Sequence, residues 1–351
     1  MPLEYAPRDT RDTLEADAYP TRTPEPERWI ERVDPVVWQD WTEKAPISQA
    51  EAERFDRDGF LVLKDLFSPE EVRALVDRAA ALRADGDALA GEDVVTEPGS
   101  NEVRTIFRLE AQDEMMSKLA RDRRLAGIAR FLLGDEVYVH QSRLNYKPGF
   151  TGKEFYWHSD FETWHAEDGM PRMRALSASL LLTDNRAHNG ALMLMPGSHK
   201  VFVSCQGETP EDNHKSSLQK QEIGTPSPES LADLAKMHGI ADAEGPAGTL
   251  FLFDCNTIHG SNGNITPDPR SNAFFVYNAV SNRLQAPFAA SKNRPDFLAN
   301  LGDPEPLELH DALRLALGSA RQRIDAQVEP RGVAELLREI RAGEAVPASA
   351  A

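Results

Sequence analysis

The chain has 351 residues, 40% of them hydrophobic, and carries 57 acidic against 39 basic side chains for a formal charge of −18. That length holds one large or two modest domains with a substantial core, and the acidic balance argues against a phosphate-neutralising surface for nucleic acid. No basic n-region followed by an apolar h-region opens the chain, and no segment approaches the roughly 20 apolar residues of a membrane span, so the expectation is a cytoplasmic protein with no membrane and no nucleic-acid partner. Cys205 and Cys255 form no CxxC pair, which disfavours a disulfide framework or a zinc knuckle.

Residues 1–46 are rich in Pro, Arg, Asp and Glu, with Trp29, Trp38 and Trp41 among them, and read as loop and short helix lying over the body. Ser48-Gln-Ala-Glu51 is a capping-box pattern that opens a helix, and Phe60–Leu63 follows as a short strand. Ser68, Pro69 and Glu71 supply an N-cap, a first-turn proline and an acidic third position, predicting a helix from Pro69 to about Arg83. The Gly/Asp-rich stretch 85–102 reads as a loop. From Val137 the pattern changes to short strands between polar turns, at Val137–Tyr146, Leu176–Leu182, Ala191–Met195, Thr249–Phe253 and Ala273–Val280. Such a series favours a sandwich or closed double sheet over a parallel one. A charged insertion at 205–245 is helix-prone over Ser217–Gln221 and Pro228–Met237. Beyond 303, Leu313, Leu317, Ala320, Ile324 and Val328 recur at helical spacing, as do Val333, Leu336, Leu337 and Ile340. Two amphipathic helices would pack there on the body or on a partner, which allows a homodimer. The expected organisation is a loop-rich segment 1–46, a catalytic domain 47–302 and a helical extension 303–351.

Chemistry concentrates in Phe155-Tyr-Trp-His158-Ser-Asp160 and in Asp254-Cys-Asn-Thr-Ile-His259-Gly-Ser261. In an extended segment residues i and i+2 project to one side, so His158 and Asp160 can hold one metal while Ser159 points away. His259 would complete the face from a distant strand end. Two neutral nitrogens and one carboxylate bind Fe(II) and leave three positions open, enough for a bidentate 2-oxo acid and dioxygen. His-x-Asp alone is common as a turn or a surface pair, so a second feature matters. Arg270 follows His259 across a Gly/Asn/Pro-rich turn, at the head of the apolar run 273–277, and a hairpin there would return its guanidinium fork to the metal's neighbourhood. An ordinary surface arginine is the competing reading.

The run from Phe155 to Asn185, FYWHSDFETWHAEDGMPRMRALSASLLLTDN, resembles the signature of the ectoine hydroxylases, in the phytanoyl-CoA-hydroxylase-like branch of the Fe(II)/2-oxoglutarate dioxygenases. The resemblance covers about residues 18–300. It implies a mainly β fold with flanking helices around a double-stranded β-helix (jelly roll). It also implies conversion of ectoine to hydroxyectoine, with 2-oxoglutarate and O2 as cosubstrates. By matching positions His158, Asp160 and His259 would ligate iron; Asn145, Lys147, Phe155, Ser261 and Arg270 would surround 2-oxoglutarate; and Gln141, Thr163, Trp164, Phe253, Asn272 and Phe274 would line the ectoine pocket.

The chemistry is coherent with that substrate. Ectoine carries a delocalised amidinium and a carboxylate; aromatic faces suit the first, at about 0.5–2 kcal/mol per cation–π contact, and amide or hydroxyl donors suit the second. Core packing is the competing role for each aromatic, least so for Trp164 in what reads as a polar turn. His165 and His199 read as solvated or hydrogen-bonded histidines, since a fourth protein ligand would block oxygen or cosubstrate. Glu162, Glu167 and Asp168 read as supporting or turn carboxylates, and Met195–His199 as a turn at the site's rim. Three functional readings stand: an ectoine hydroxylase, a related oxygenase of another small zwitterion, and a non-catalytic jelly-roll binding protein. A zinc hydrolase lacks its HExxH-type helix.

Overall fold

Leu250, Phe251, Leu252 and Phe253 point by turns into two apolar environments, and that alternation sets the architecture. The computed structural model describes residues 17–85, 91–96, 102–218 and 220–311. Its strands are β1 (Arg28–Glu31), β2 (Phe60–Leu63), β3 (Val94–Thr96), β4 (Val103–Phe107), β5 (Val137–Lys147), β6 (Phe155–His158), β7 (Ala175–Leu181), β8 (Leu192–Leu194), β9 (Val201–Ser204), β10 (Ala241–Asp242), β11 (Leu250–Asp254), β12 (His259–Ser261) and β13 (Arg270–Ala279). Seven form one sheet in the order β2-β11-β7-β13-β5-β4-β3, and four form a second in the order β10-β8-β12-β6. All pair antiparallel. This is the jelly-roll core expected from the sequence.

Leu250, Leu252, Leu176, Ala178, Leu180, Ala273 and Phe275 face a helical layer, where they meet Leu75, Met116, Leu119 and Leu132. Phe251, Phe253 and Phe274 face the other way and pack with Leu194 of the smaller sheet. Burial on both faces explains why β11 and β13 read as nearly continuous apolar runs. The helix Gln49–Asp58 starts with both halves of the Ser48/Glu51 capping box and ends at Gly59. Pro69–Ala84 has the same device at Ser68/Glu71 with proline in its first turn. Each box satisfies otherwise orphaned N–H groups, typically about 1 kcal/mol per cap.

One irregularity positions the cavity. β5 and β13 slip register between Val276 and Tyr277, whose partners are Gln141 and Val139, so His140 is the extra residue. The bulge reverses the parity of β5: Val137 and Val139 face the helices, whereas Gln141, Arg143, Asn145 and Lys147 face the cavity. Strict alternation would have sent these polar side chains into the helical layer.

Several expectations need correction. Among the described residues, 17–46 contain no helix; they include β1, which pairs with β9. This segment is built into the body, with Tyr19 fully buried and hydrogen-bonded through its hydroxyl to Asp34 Oδ2 at 2.9 Å. The stretch 85–102 is not all loop, since β3 lies in it. The helix expected over Ser217–Gln221 is a short one at His214–Ser217, while Pro228–His238 forms as expected. The stripes expected over 313–340, and the surface for a homodimer with them, lie outside the described residues. No helix among those described is long and apolar enough to cross a membrane.

Candidate metal centre and its cavity

His158 ends β6 directly opposite His259, which starts β12. Asp160 opens a short helical turn, Asp160–Thr163, so the segment is not extended throughout as the His-x-Asp argument assumed. Ser159 between them keeps extended backbone, at φ −105° and ψ 132°, and that one residue suffices to set His158 and Asp160 side by side. One ligand atom from each of His158, Asp160 and His259 lies within 4.8 Å of the others, and all three residues are buried. Each imidazole is held by the carbonyl two residues before it: His158 Nδ1 to Tyr156 O at 2.8 Å, and His259 Nδ1 to Thr257 O at 2.9 Å. A carbonyl only accepts, so Nδ1 carries the proton and each Nε2 offers its lone pair. Burial, with His158 beside it, lowers the pKa of His259 to about 4. Burial opposes ionisation of Asp160, but His259 and His158 outweigh it and hold the carboxylate below its usual range.

Arg270 stands at the head of β13 opposite Lys147 and is 6% exposed. Its Nη1 donates to Gly190 O at 2.6 Å, while its buried Nε has no hydrogen-bond partner among the described residues. Burial, with Arg104 and Arg143 nearby, lowers its pKa to about 10. Gly190 is required here: a Cβ would sit 2.7 Å from Asn262 O and 2.8 Å from the Lys147 chain, and its φ of +82° is left-handed. Lys147 Nζ donates to Ser261 Oγ at 2.9 Å. Phe155 sets its ring edge to face against His158, with centroids 5.0 Å apart.

Metal face, Arg270, Lys147, Phe155, Ser261, Asn145, Gln141, Thr163, Trp164 and Phe274 all line one cavity. Two expected members stand behind its wall. Phe253 is fully buried and packs 4.9 Å from the His259 ring, so it backs an imidazole. Asn272 shares the face of Arg270 and Phe274, but its amide oxygen is engaged by Asn185 Nδ2 at 3.1 Å. Trp164 belongs to a buried turn, not a polar one; it is 2% exposed, packed in a cluster with Tyr19 and Phe161 and edge-on to His140. Gln141 donates to Leu298 O at 2.7 Å and accepts from Arg143, and Thr163 accepts from Gln221 Nε2 at 3.1 Å.

Sequence reasoning missed the cavity's charge. Arg104, Arg143, Lys153 and Arg294 join Lys147 and Arg270 in the lining, against Asp160 as its one acidic side chain among the described residues, in a chain of net charge −18. The signal available was weak. Arg143 and Asn145 alternate with Gln141 on a strand, but Arg294 comes from irregular chain far from every motif. His165 and His199 are buried, not solvated: His165 lies between Met170 O and Asp17, and His199 bonds Asp56 O. The Met195–His199 turn lies under Gly59 and Thr257 and not at the rim. Glu162 and Glu167 pair with Arg22 from the N-terminal segment, and Asp168 pairs with Arg294.

Comparison with known proteins places these residues in context. Residues 55–272 match the family model of phytanoyl-CoA dioxygenase. An ectoine dioxygenase of Sphingopyxis alaskensis is 60% identical over 293 residues, 84% of this chain and 96% of the relative. The crystal structure of EctD from S. alaskensis with 2-oxoglutarate and 5-hydroxyectoine superposes with a TM-score of 0.78 at 56% identity, covering 84% of this chain and 98% of the other. EctD from the same organism with bound Fe gives 0.77 at the same identity and coverage.

Proposed function

The chain belongs to the phytanoyl-CoA dioxygenase family, and from that membership we propose that it hydroxylates ectoine to 5-hydroxyectoine while 2-oxoglutarate and O2 yield succinate and carbon dioxide. The observation that carries this reading is a buried arginine with an unused donor edge, on the cavity wall that also holds a His-Asp-His face. Buried polar groups are nearly always satisfied, and a guanidinium fork matches a carboxylate. With Nη1 committed to Gly190 O, the Nε edge of Arg270 is the part left to receive 2-oxoglutarate's distal carboxylate, which it would hold when bound. Lys147 and Ser261 add donors beside it.

The donor set suits Fe(II): two neutral nitrogens and one carboxylate would hold the ion and leave the rest of its coordination sphere open. When bound, iron with 2-oxoglutarate and dioxygen supplies the oxidising power that inserts one oxygen atom into a substrate C–H bond. The chain's own residues bind and orient. Tyr156 O and Thr257 O keep both Nε2 atoms deprotonated and fix ring direction. Arg143 and Arg294 provide cationic wall for the ectoine carboxylate, and Trp164 and Phe274 provide rings for the amidinium. Leu218 and Gln221, the latter tied to Thr163, add to the wall beside Trp164. Two buried free thiols, Cys205 and Cys255, suit the reducing cytoplasm as the place of action.

The test is anaerobic loading with Fe(II) and 2-oxoglutarate, then air, with ectoine, proline, lysine and an acyl-CoA supplied separately at equal concentration. Ectoine should stimulate succinate formation and gain one oxygen. If another member does so and ectoine does not, the substrate assignment is wrong.

A further inference from the structure

Residues 283–302 contain no strand and no helix, yet they form one side of the cavity through Arg294 and Leu298. What holds an irregular strap there is specific. Asp168, fully buried, accepts from Arg294 Nε at 2.7 Å through Oδ1 and from Arg294 Nη2 at 2.6 Å through Oδ2. Its backbone carbonyl accepts from Asn293 Nδ2 at 2.9 Å. The same Oδ2 meets His140 Nε2 at 3.2 Å, and His140 is the bulged residue of β5 whose ring packs on Trp164. Farther along, Asn300 N donates to His140 O at 2.9 Å.

Resting on the ectoine reading above, we propose that Asp168 is a positioning residue that latches the 293–300 strap to the His140 bulge. It thereby fixes Arg294 and Trp164 as the substrate side of the cavity, independently of the iron and 2-oxoglutarate side. The geometry explains why a carboxylate is needed. By gripping Arg294 along its Nε–Nη2 edge, Asp168 leaves Nη1 as the guanidinium nitrogen without a partner among the described residues, on the wall that a substrate carboxylate meets. By accepting from His140 it also sets which face of that ring supports the indole. Asp168 itself does not line the cavity, so it acts through Arg294 and His140 and touches no substrate. Among the described residues no hydrogen bond runs from Asp168, Arg294 or His140 to His158, Asp160, His259 or Arg270; the one link to the metal face is the backbone N–H of Trp164, which donates to Asp160 O.

The experiment is steady-state kinetics of Asp168→Asn in the full chain, with ectoine and 2-oxoglutarate varied in turn, alongside Arg294→Gln and the double variant. Asparagine keeps the shape but turns one oxygen into a donor that opposes the guanidinium. We expect the KM for ectoine to rise ten-fold or more and succinate to exceed hydroxylated product, while the KM for 2-oxoglutarate and Fe(II) affinity stay within two-fold. Asp168→Asn should cost clearly less in the Arg294→Gln background than in wild type, because the arm that acts through Arg294 is already lost there and only the one through His140 remains. Multiplicative losses, an unchanged ectoine KM, or equal damage to the ectoine, 2-oxoglutarate and iron parameters would each overturn the latch. Wild-type protein that fails to oxygenate ectoine would overturn the functional reading instead, and the two failures are distinguishable.

Discussion

Arg22 and Arg270 are 5% and 6% exposed, yet their surroundings are opposite. Arg22 gives both edges to carboxylates of its own chain: Nε and Nη2 to Glu162 at 3.0 and 2.9 Å, and Nη1 to Glu167 at 2.6 Å. Burial lowers its pKa, but the two glutamates outweigh that and hold it above the ordinary arginine value. Arg270 meets a carbonyl and other cations, and burial prevails, bringing it to about 10. At equal burial, the partner decides the role. A guanidinium completed by its own chain fastens the N-terminal segment to the turn that follows Asp160; one left incomplete is, on the proposed reading, where an anionic ligand would bind.

The largest expected effect removes the centre that both regions serve. His158→Ala, Asp160→Ala and His259→Ala should each abolish turnover and weaken Fe(II) binding while far-ultraviolet circular dichroism stays native, because water cannot restore an oriented ligand. Iron-dependent turnover by Asp160→Ala at ordinary iron concentrations would remove that residue from the ligand set.

The same substitution at the two arginines sharpens the contrast. Arg22→Ala leaves two buried glutamates uncompensated and should cost about 3–5 kcal/mol in urea unfolding. Arg270→Ala removes a buried cation with no carboxylate partner and should leave unliganded stability unchanged or raised, while weakening 2-oxoglutarate by about 2–5 kcal/mol. Arg270→Lys should recover only part, since a point charge cannot reproduce the fork. Equal stability losses at both positions would break the comparison.

His199 gives a pH-dependent test away from the cavity: its Nε2 meets Asp56 O, while its buried Nδ1 has no partner among the described residues. Burial lowers its pKa from 6.5 to about 4, with Asp254 opposing. Between those values the unfolded chain binds more protons than the folded one, so stability falls as pH falls through that window. Wild type should lose up to about 3 kcal/mol there from this group, and His199→Gln should reduce the fall in urea-derived stability from pH 7 to pH 4, with His259 still contributing to what remains. An unchanged slope would place the titration elsewhere.

The smallest effect expected is at Trp164. Its burial makes Trp164→Ala a poor test, because truncating a buried tryptophan costs about 3–5 kcal/mol of stability. Trp164→Phe keeps most of the packing and should reduce ectoine turnover by about 1 kcal/mol while sparing uncoupled 2-oxoglutarate decarboxylation. Equal loss in both assays would give the ring a structural role only.

The grouping of His158, Asp160 and His259 was legible because these residues lie in two short motifs, and that of Arg270 because one hairpin returns it to them. The major sheet was legible too, since its long strands are apolar on both faces. β6 and β12, which carry the histidines, were not: at four and three residues they hold no periodicity to detect. The His140 bulge could not be read either, since one extra residue leaves composition unchanged while reversing which side chains meet the cavity. Arg22, Arg143 and Arg294 are spread across the sequence and converge only in three dimensions, so the ion pairs that separate structural from receptive charge were invisible. Asn272 and Phe253 show the converse: they alternate correctly with cavity residues but are taken up by Asn185 and His259.

Labelled dioxygen tests the central claim most directly. Protein loaded with Fe(II), 2-oxoglutarate and ectoine and exposed to labelled O2 should yield hydroxyectoine and succinate in equal amounts, each carrying one labelled oxygen. Succinate formed in the same amount with and without ectoine, or product whose new oxygen comes from water, would contradict the account.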